Sequence, residues 1–120
     1  VRVYERQYVR VDYQQEVKLE TAERITLIVR GENISVGGLG ICCDQMTAQM
    51  IMPKGYQLNP AKPLHLGVEF EMEDNSLKAT CSIQNSYRLA QDLFCFNLKF
   101  IRLEQQGQQQ LENFIQQQRL

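Results

Sequence analysis

Two arginines and a glycine-rich stretch are where this chain could do chemistry. Arg6 and Arg10 stand as R-x-x-x-R in the opening segment Val-Arg-Val-Tyr-Glu-Arg-Gln-Tyr-Val-Arg. In a fully extended chain their Cα atoms lie roughly 13 Å apart, and a turn brings the two guanidinium groups together. Converged guanidiniums repel each other unless an anion or carboxylates sit between them. An arginine fork grips phosphate, or the O6/N7 edge of guanine, bidentately, and its plane also stacks on a base. The same residues also fit two solvated arginines, or pairs with the nearby Glu5 and Asp12.

The second stretch is Gly31-Glu32-Asn33-Ile34-Ser35-Val36-Gly37-Gly38-Leu39-Gly40, which holds four of the seven glycines. Glycine lacks a Cβ, so such a cluster marks tight turning or a close approach to the backbone. If the chain is extended here, the period of two puts Asn33 and Ser35 on one face and Ile34 and Val36 on the other. That reads as a strand carrying two small polar groups into a backbone-lined notch. Asn and Ser also make local turn hydrogen bonds, so this stretch taken alone reads more readily as a β-bulge or hairpin turn.

The elements that position these residues follow from alternation. Val9, Val11 and Tyr13, then Val17 and Leu19, recur at odd positions, broken by Gln15, as a strand with one buried face does. Ile25, Leu27 and Val29 repeat the pattern, and Leu39, Ile41 and Cys43 continue it beyond the glycines. Residues 44–63 are irregular, with a Met46, Met50, Met52 cluster and three prolines. They read as a connecting loop with one short strand. Leu64, Leu66, Val68, Phe70 and Met72 alternate strictly with polar residues and glycine. After the turn Glu73-Asp74-Asn75-Ser76, so do Leu77, Ala79, Cys81 and Ile83, which predicts a β-hairpin. Phe94, Phe96, Leu98 and Phe100 make a further strand. From Glu104 the sequence turns Gln-rich, with Leu111, Phe114 and Ile115 at helical spacing, which predicts an amphipathic helix over about 104–119. That helix would dock on the barrel or on a partner; a frayed polar tail is the other reading. Six or so antiparallel strands and one helix suggest a small six-stranded antiparallel β-barrel, all-β apart from its C-terminal α-helix, since closure removes exposed sheet edges.

Other chemistries find no residues to carry them. The 120 residues suit one domain with a single core. A formal net charge of −1 disfavours a general nucleic-acid binder, which usually shows a strongly basic surface. Cys42, Cys43, Cys81 and Cys95 form no C-x-x-C pair, and His65 has no partner at metal-ligand spacing, so no metal site is expected. The cysteines read as small buried hydrophobes in a reducing compartment. No phosphate-binding P-loop occurs, Gly38-Leu39-Gly40 does not extend to G-x-G-x-x-G because position 43 is Cys, and there is no G-x-S-x-G elbow. His65 falls on the polar side of its strand, and Glu69, Glu71 and Glu73 share a solvated face. An enzyme is not expected. No apolar run reaches the length of a membrane span, and there is no signal peptide. The start at Val1 reads as an excised domain, with an upstream domain or membrane segment left open.

Arg6-x-x-x-Arg10, followed some two dozen residues later by Asn33-x-Ser35-x-x-Gly38, resembles the PilZ domain family, whose signature is R-x-x-x-R and then [D/N]-x-S-x-x-G. The resemblance covers nearly the whole chain, including the late aromatic strand ending at Phe100 and the closing helix. It implies a receptor for cyclic di-GMP, a bacterial second messenger, with no other cofactor. The implied ligand set is Arg6, Arg10, Asn33, Ser35, Gly37 and Gly38. Arg6 and Arg10 would hold phosphate and guanine edges from a mobile arm, residues 1–10. Asn33 and Ser35 would contact a guanine and its ribose-phosphate, and Gly38 would let the ligand lie against the strand. Many members have Asp where this chain has Asn33; a carboxylate accepts from both guanine N1–H and N2–H, whereas an amide has one acceptor oxygen. Binding would draw the arm onto the barrel and change its relation to an upstream domain or partner, in the bacterial cytoplasm. Two other readings are a PilZ-like protein-interaction module without nucleotide binding, and a small barrel binding single-stranded nucleic acid through aromatics and a positive groove.

Overall fold

The computed structural model describes residues 9–119, leaving aside the side chains of Gln105 and Arg119. Seven strands form one sheet: β1 (Val11–Asp12), β2 (Glu16–Glu20), β3 (Thr26–Ile34), β4 (Gly38–Cys43), β5 (His65–Met72), β6 (Asn75–Ala90) and β7 (Leu93–Leu103). All pairings are antiparallel, in the order β1-β3-β2-β5-β6-β7-β4, and an added β3–β4 pairing closes six of the strands into a barrel. Two helices accompany it, α1 (Gln45–Ile51) and α2 (Gln105–Arg119).

Alternation predicts the inward faces well. Val17 and Leu19, Leu66, Val68, Phe70 and Met72, Leu77, Ala79, Cys81 and Ile83, and Phe94, Phe96 and Leu98 all point into one core. The β5–β6 turn is tighter than the sequence suggests. Met72 pairs with Asn75, and Glu73 and Asp74 both have positive φ (47° and 72°), the two-residue connection whose twist matches a hairpin. The expected docking of the C-terminal helix is onto the barrel itself: Leu111 and Ile115 are buried in the core, and Phe114 meets the Tyr13 ring edge-on at 6.3 Å.

Three expectations are corrected. Residues 44–63 contain a helix and no strand. Asp44 caps α1 by accepting from the Thr47 N–H at 2.8 Å, and hydrogen bonding from Thr47 holds its carboxyl below the ordinary value. The buried residues here are Ala48, Ile51 and Met52, spaced three and four apart, a helical signal that the exposed Met46 and Met50 obscure. Ile25 is exposed rather than inward. Thr21 accepts from Arg24 N–H and donates its own N–H to Ile25, and Arg24 takes a positive φ of 68°, so Ile25 closes a turn before β3 begins. Nor are the cysteines all unbridged thiols. Cys42 and Cys95 pair directly across β4 and β7 and their sulfurs are bonded, across 53 residues of sequence.

The strand expected over Val9–Leu19 runs along one edge of β3 in two pieces, β1 and β2. Between them Tyr13 turns into the core, edge-on to Phe70, and its hydroxyl donates to the Glu71 carbonyl. Gly31 makes room, because a Cβ there would lie 2.6 Å from the Tyr13 carbonyl oxygen and 2.9 Å from its ring. Burial pushes the Tyr13 hydroxyl up from 10.0 to about 12. Burial also pushes the Cys43 and Cys81 thiols up from 9.0 to about 12, with the carboxylates of Asp44 and Asp92 adding to the effect at Cys43. In the unfolded chain these groups lose their protons at lower pH than in the folded one. Their contribution to stability is therefore full below about pH 9 and is lost progressively as pH rises toward 12. Urea unfolding across that alkaline range is expected to show falling stability. Tyr13→Phe should flatten the fall above about pH 10; a fall as steep as in the unsubstituted protein would remove Tyr13 from the account.

Candidate nucleotide site

The site grows from a bulge in β3. Gly31 pairs with Ile41 but Asn33 pairs with Gly40, so Glu32 is one residue too many against β4. A bulge shifts the phase of everything beyond it. Val29 and Gly31 face inward before it and Ile34 does after it, which turns Asn33 outward. Gly40 lies opposite on the outer face, between the inward Leu39 and Ile41. Its missing Cβ would stand 2.9 Å from the Asn33 amide oxygen. Gly40 thus creates the space in which the Asn33 side chain lies across β4.

β1 delivers the arginine. Asp12 pairs with Asn33 and Val11 with Ile34, so Arg10, on the same strand face as Asp12, arrives at the outer face beside Asn33. Arg10 Nη1 donates to Asn33 Oδ1 at 2.8 Å and to Asn97 Oδ1 at 3.4 Å. The second contact is long, and the first is the firm one. Asn97 sits opposite Gly40 on β7, and its Nδ2 donates to Asn85 Oδ1 on β6 at 2.8 Å. A polar row therefore crosses four strands, Asn33–Gly40–Asn97–Asn85, with Arg10 over its centre. Arg30 and Lys99 are exposed on the same outer face to either side of it, opposite Cys42 and Gly38 respectively. The face carries the cations Arg10, Arg30 and Lys99, with two carboxylates among them, Asp12 opposite Asn33 and Glu16 opposite Arg30.

The remaining signature residues occupy the hairpin between β3 and β4. Ser35 is buried, and its hydroxyl accepts from the N–H groups of Gly37 and Gly38, both at 3.1 Å. Its own N–H donates to the Gly38 carbonyl at 2.8 Å. Ser35 thus does not share an outward face with Asn33; it folds the turn that holds Asn33 and Gly38 in place. The Gly37 carbonyl accepts from Phe100 N–H at 2.9 Å, which ties the turn to β7. At Gly38 an added Cβ would fall 2.1 Å from the Leu98 carbonyl oxygen, so here the close approach is that of β7. Arg6 lies outside the described residues, as does most of the segment 1–10 expected to act as an arm.

The structure thus brings Arg10 and Asn33 together and gives Ser35, Gly37 and Gly38 a supporting place. Sequence reasoning passed over Gly40, Asn85 and Asn97. Asn97 is the one amide in β7, set between Phe96 and Leu98, and that amide was the available signal. Among the described residues no helix is long and apolar enough to cross a membrane.

Comparison with known proteins agrees with this fold. The family model for the PilZ domain matches residues 4–117. No curated protein matches the sequence. Among solved structures, the chain is similar to the Bacillus subtilis inhibitor of motility MotI/DgrA, at 19% identity and a TM-score of 0.65 over 93% of this chain and 50% of that one. It is similar to the PilZ domain of YcgR from Escherichia coli with c-di-GMP, at 15% identity and a TM-score of 0.61, covering 94% of this chain and 90% of that one. The K. pneumonia MrkH–c-di-GMP complex matches at 10% identity and a TM-score of 0.65, over 92% of this chain and 50% of that one. At such identities the likeness is one of fold, and the chain spans about half the length of MotI/DgrA and MrkH. A family match running almost end to end, on a closed barrel of six antiparallel strands with a helix behind it, places the chain in the PilZ domain family.

Proposed function

We propose that this domain is a receptor for cyclic di-GMP and not an enzyme. The observation that carries the reading is the Arg10 guanidinium resting on Asn33, beside the glycine-bearing turn of β4. A guanidinium has five N–H donors, and both protein contacts come from Nη1. The other donors can meet a phosphate or the guanine O6/N7 edge. Asn33 presents an amide to a guanine edge, and the cations Arg30 and Lys99 on the same face favour a dianion. That two similar folds, YcgR and MrkH, were solved with c-di-GMP supports the same ligand class.

In this reading Arg10 and Asn33 are the direct contacts on the described part of the chain. Ser35, Gly37 and Gly38 act chiefly by holding the turn. Arg6 joins from the preceding segment. Binding in this reading changes the relation of the N-terminal segment to whatever domain or partner adjoins it. The bacterial cytoplasm is the compartment that suits such a ligand. Isothermal titration of cyclic di-GMP into the chain tests the reading. Saturable heat, absent with cyclic di-AMP at the same concentration, is expected; no heat with cyclic di-GMP rejects it.

A further inference from the structure

The polar row does not stop at the signature residues. It continues from Asn97 on β7 to Asn85 on β6, and β6 carries one more exposed group on the same face. Ile83 pairs with Leu98 but Asn85 pairs with Asn97, so Gln84 is bulged out and the phase of β6 shifts. Beyond this bulge Asn85 and Tyr87 face outward together, opposite Asn97 and Cys95. Tyr87 is 47% exposed, an unusual place for a large aromatic ring. Beside it the Cys42–Cys95 bridge is buried, and Arg30 stands at the far end of that row.

We propose that Asn85 and Tyr87 form the base-recognition wall of the site, with Asn97 as the positioning residue that makes it selective for guanine. The proposal rests on the cyclic di-GMP reading and extends it to β6 and β7. The hydrogen bond from Asn97 Nδ2 engages the oxygen of the Asn85 amide. That orientation leaves the Nδ2 donors of Asn85 for another acceptor. Guanine offers two acceptors, O6 and N7, on its outer edge. Adenine offers one acceptor and one donor there, and an asparagine reads it with both halves of the amide. With its oxygen engaged by Asn97, Asn85 suits guanine and is mismatched to adenine. Tyr87 lies two residues along the strand, roughly 7 Å away, so a purine laid over its ring reaches the Asn85 amide with its edge. Arg10 bridges the halves, since its Nη1 touches both Asn33 and Asn97.

The test is calorimetric titration of cyclic di-GMP and cyclic di-AMP into the chain and four variants, each checked by thermal melting. Tyr87→Ala is expected to weaken cyclic di-GMP binding about tenfold, while Tyr87→Phe keeps the ring and stays within about twofold. Asn85→Ala should weaken binding about 3- to 10-fold, one neutral hydrogen bond. Asn97→Ala frees the Asn85 amide to turn, so cyclic di-AMP, silent with the unsubstituted chain, should begin to give saturable heat while cyclic di-GMP binding weakens only modestly. If the unsubstituted chain binds cyclic di-GMP and Tyr87→Ala and Asn85→Ala bind it equally well, the wall is rejected while the receptor reading stands. If Asn97→Ala leaves the preference intact, its positioning role is rejected. If the unsubstituted chain itself gives no heat, both readings fall together.

Discussion

Arg10→Ala is expected to weaken cyclic di-GMP binding by about one to two powers of ten, the range of one charge-assisted hydrogen bond at about 1.5–3 kcal/mol. Arg10 is exposed and enters no core contact, so the fold should survive its loss with stability changed by no more than about 0.5 kcal/mol. What disappears is the fork. Arg10 Nη1 holds the Asn33 and Asn97 oxygens in one orientation, and the remaining donors point the positive charge at the face between them. Arg10→Lys is the informative companion. A lysine keeps the charge and three donors but has no rigid planar fork to meet a phosphate or guanine edge bidentately, so it should recover only part of the affinity. Calorimetry paired with thermal melting checks both variants. Equal affinity for Arg10→Ala and the unsubstituted protein would remove Arg10 from the site. Because Arg10, Asn33 and Asn97 touch one another, losses from substituting two of them should not add.

Gly38→Ala is expected to damage the fold rather than the ligand contact. The new Cβ would lie 2.1 Å from the Leu98 carbonyl oxygen, 3.2 Å from its carbon and 3.4 Å from Lys99 Cα, all backbone atoms of β7. No rotamer relieves such a clash; β4 and β7 must separate along the seam where Gly38 pairs with Lys99 and Leu39 with Leu98. Overpacking of a well-packed interior usually costs about 1–3 kcal/mol, and a backbone clash this short belongs at or above the top of that range. For a domain of this size about 3 kcal/mol lowers the melting temperature by something like 10–20 °C. Gly40→Ala provides the contrast. The three atoms nearest its Cβ all belong to the Asn33 side chain, the closest at 2.9 Å, and that side chain can swing away. Gly40→Ala should therefore melt close to the unsubstituted protein yet bind cyclic di-GMP more weakly, because Asn33 is displaced from Arg10. Differential scanning calorimetry separates the two. A Gly38→Ala protein as stable as the parent would show that β7 yields easily there, and would return Gly38 to the ligand as its reason for being glycine.

Much of the architecture was legible in the sequence because burial on a strand is a local, period-two property. Leu66 to Met72 and Leu77 to Ile83 declared a hairpin, Phe94 to Phe100 another strand, and the spacing of Leu111 and Ile115 the closing helix, while Leu64, read as the first inward residue, lies exposed before β5. The order of the motifs, R-x-x-x-R and then N-x-S-x-x-G, pointed to the family that the match over residues 4–117 shows. Alternation states which face a residue occupies, provided no bulge intervenes. It does not state which residue lies across from it. Register between strands distant in sequence is set by the whole barrel, through turn geometry and bulges. That is why Arg10 and Asn33, 23 residues apart, could be suspected from motif spacing, whereas Arg10 and Asn97, 87 apart, could not.

Bulges account for the other differences. The extra residue at Glu32 turns Asn33 outward while Ser35 goes in, so two residues that a regular strand would place side by side take different tasks. The bulge at Gln84 turns Asn85 and Tyr87 onto the outer face, opposite Asn97 and Cys95. Pairing of β4 with β7 explains Gly38 by the Leu98 carbonyl and brings Cys42 to Cys95, neither of which composition or spacing announces. The sequence by itself determined most of the strand faces, away from the bulges and turns, together with the barrel class, the helix and the suspicion of an arginine–asparagine site. Only the tertiary structure decided which amide the arginine touches, which glycine makes room for it and which makes room for a neighbouring strand. Those are facts of register, and register is a non-local balance of packing and hydrogen bonding.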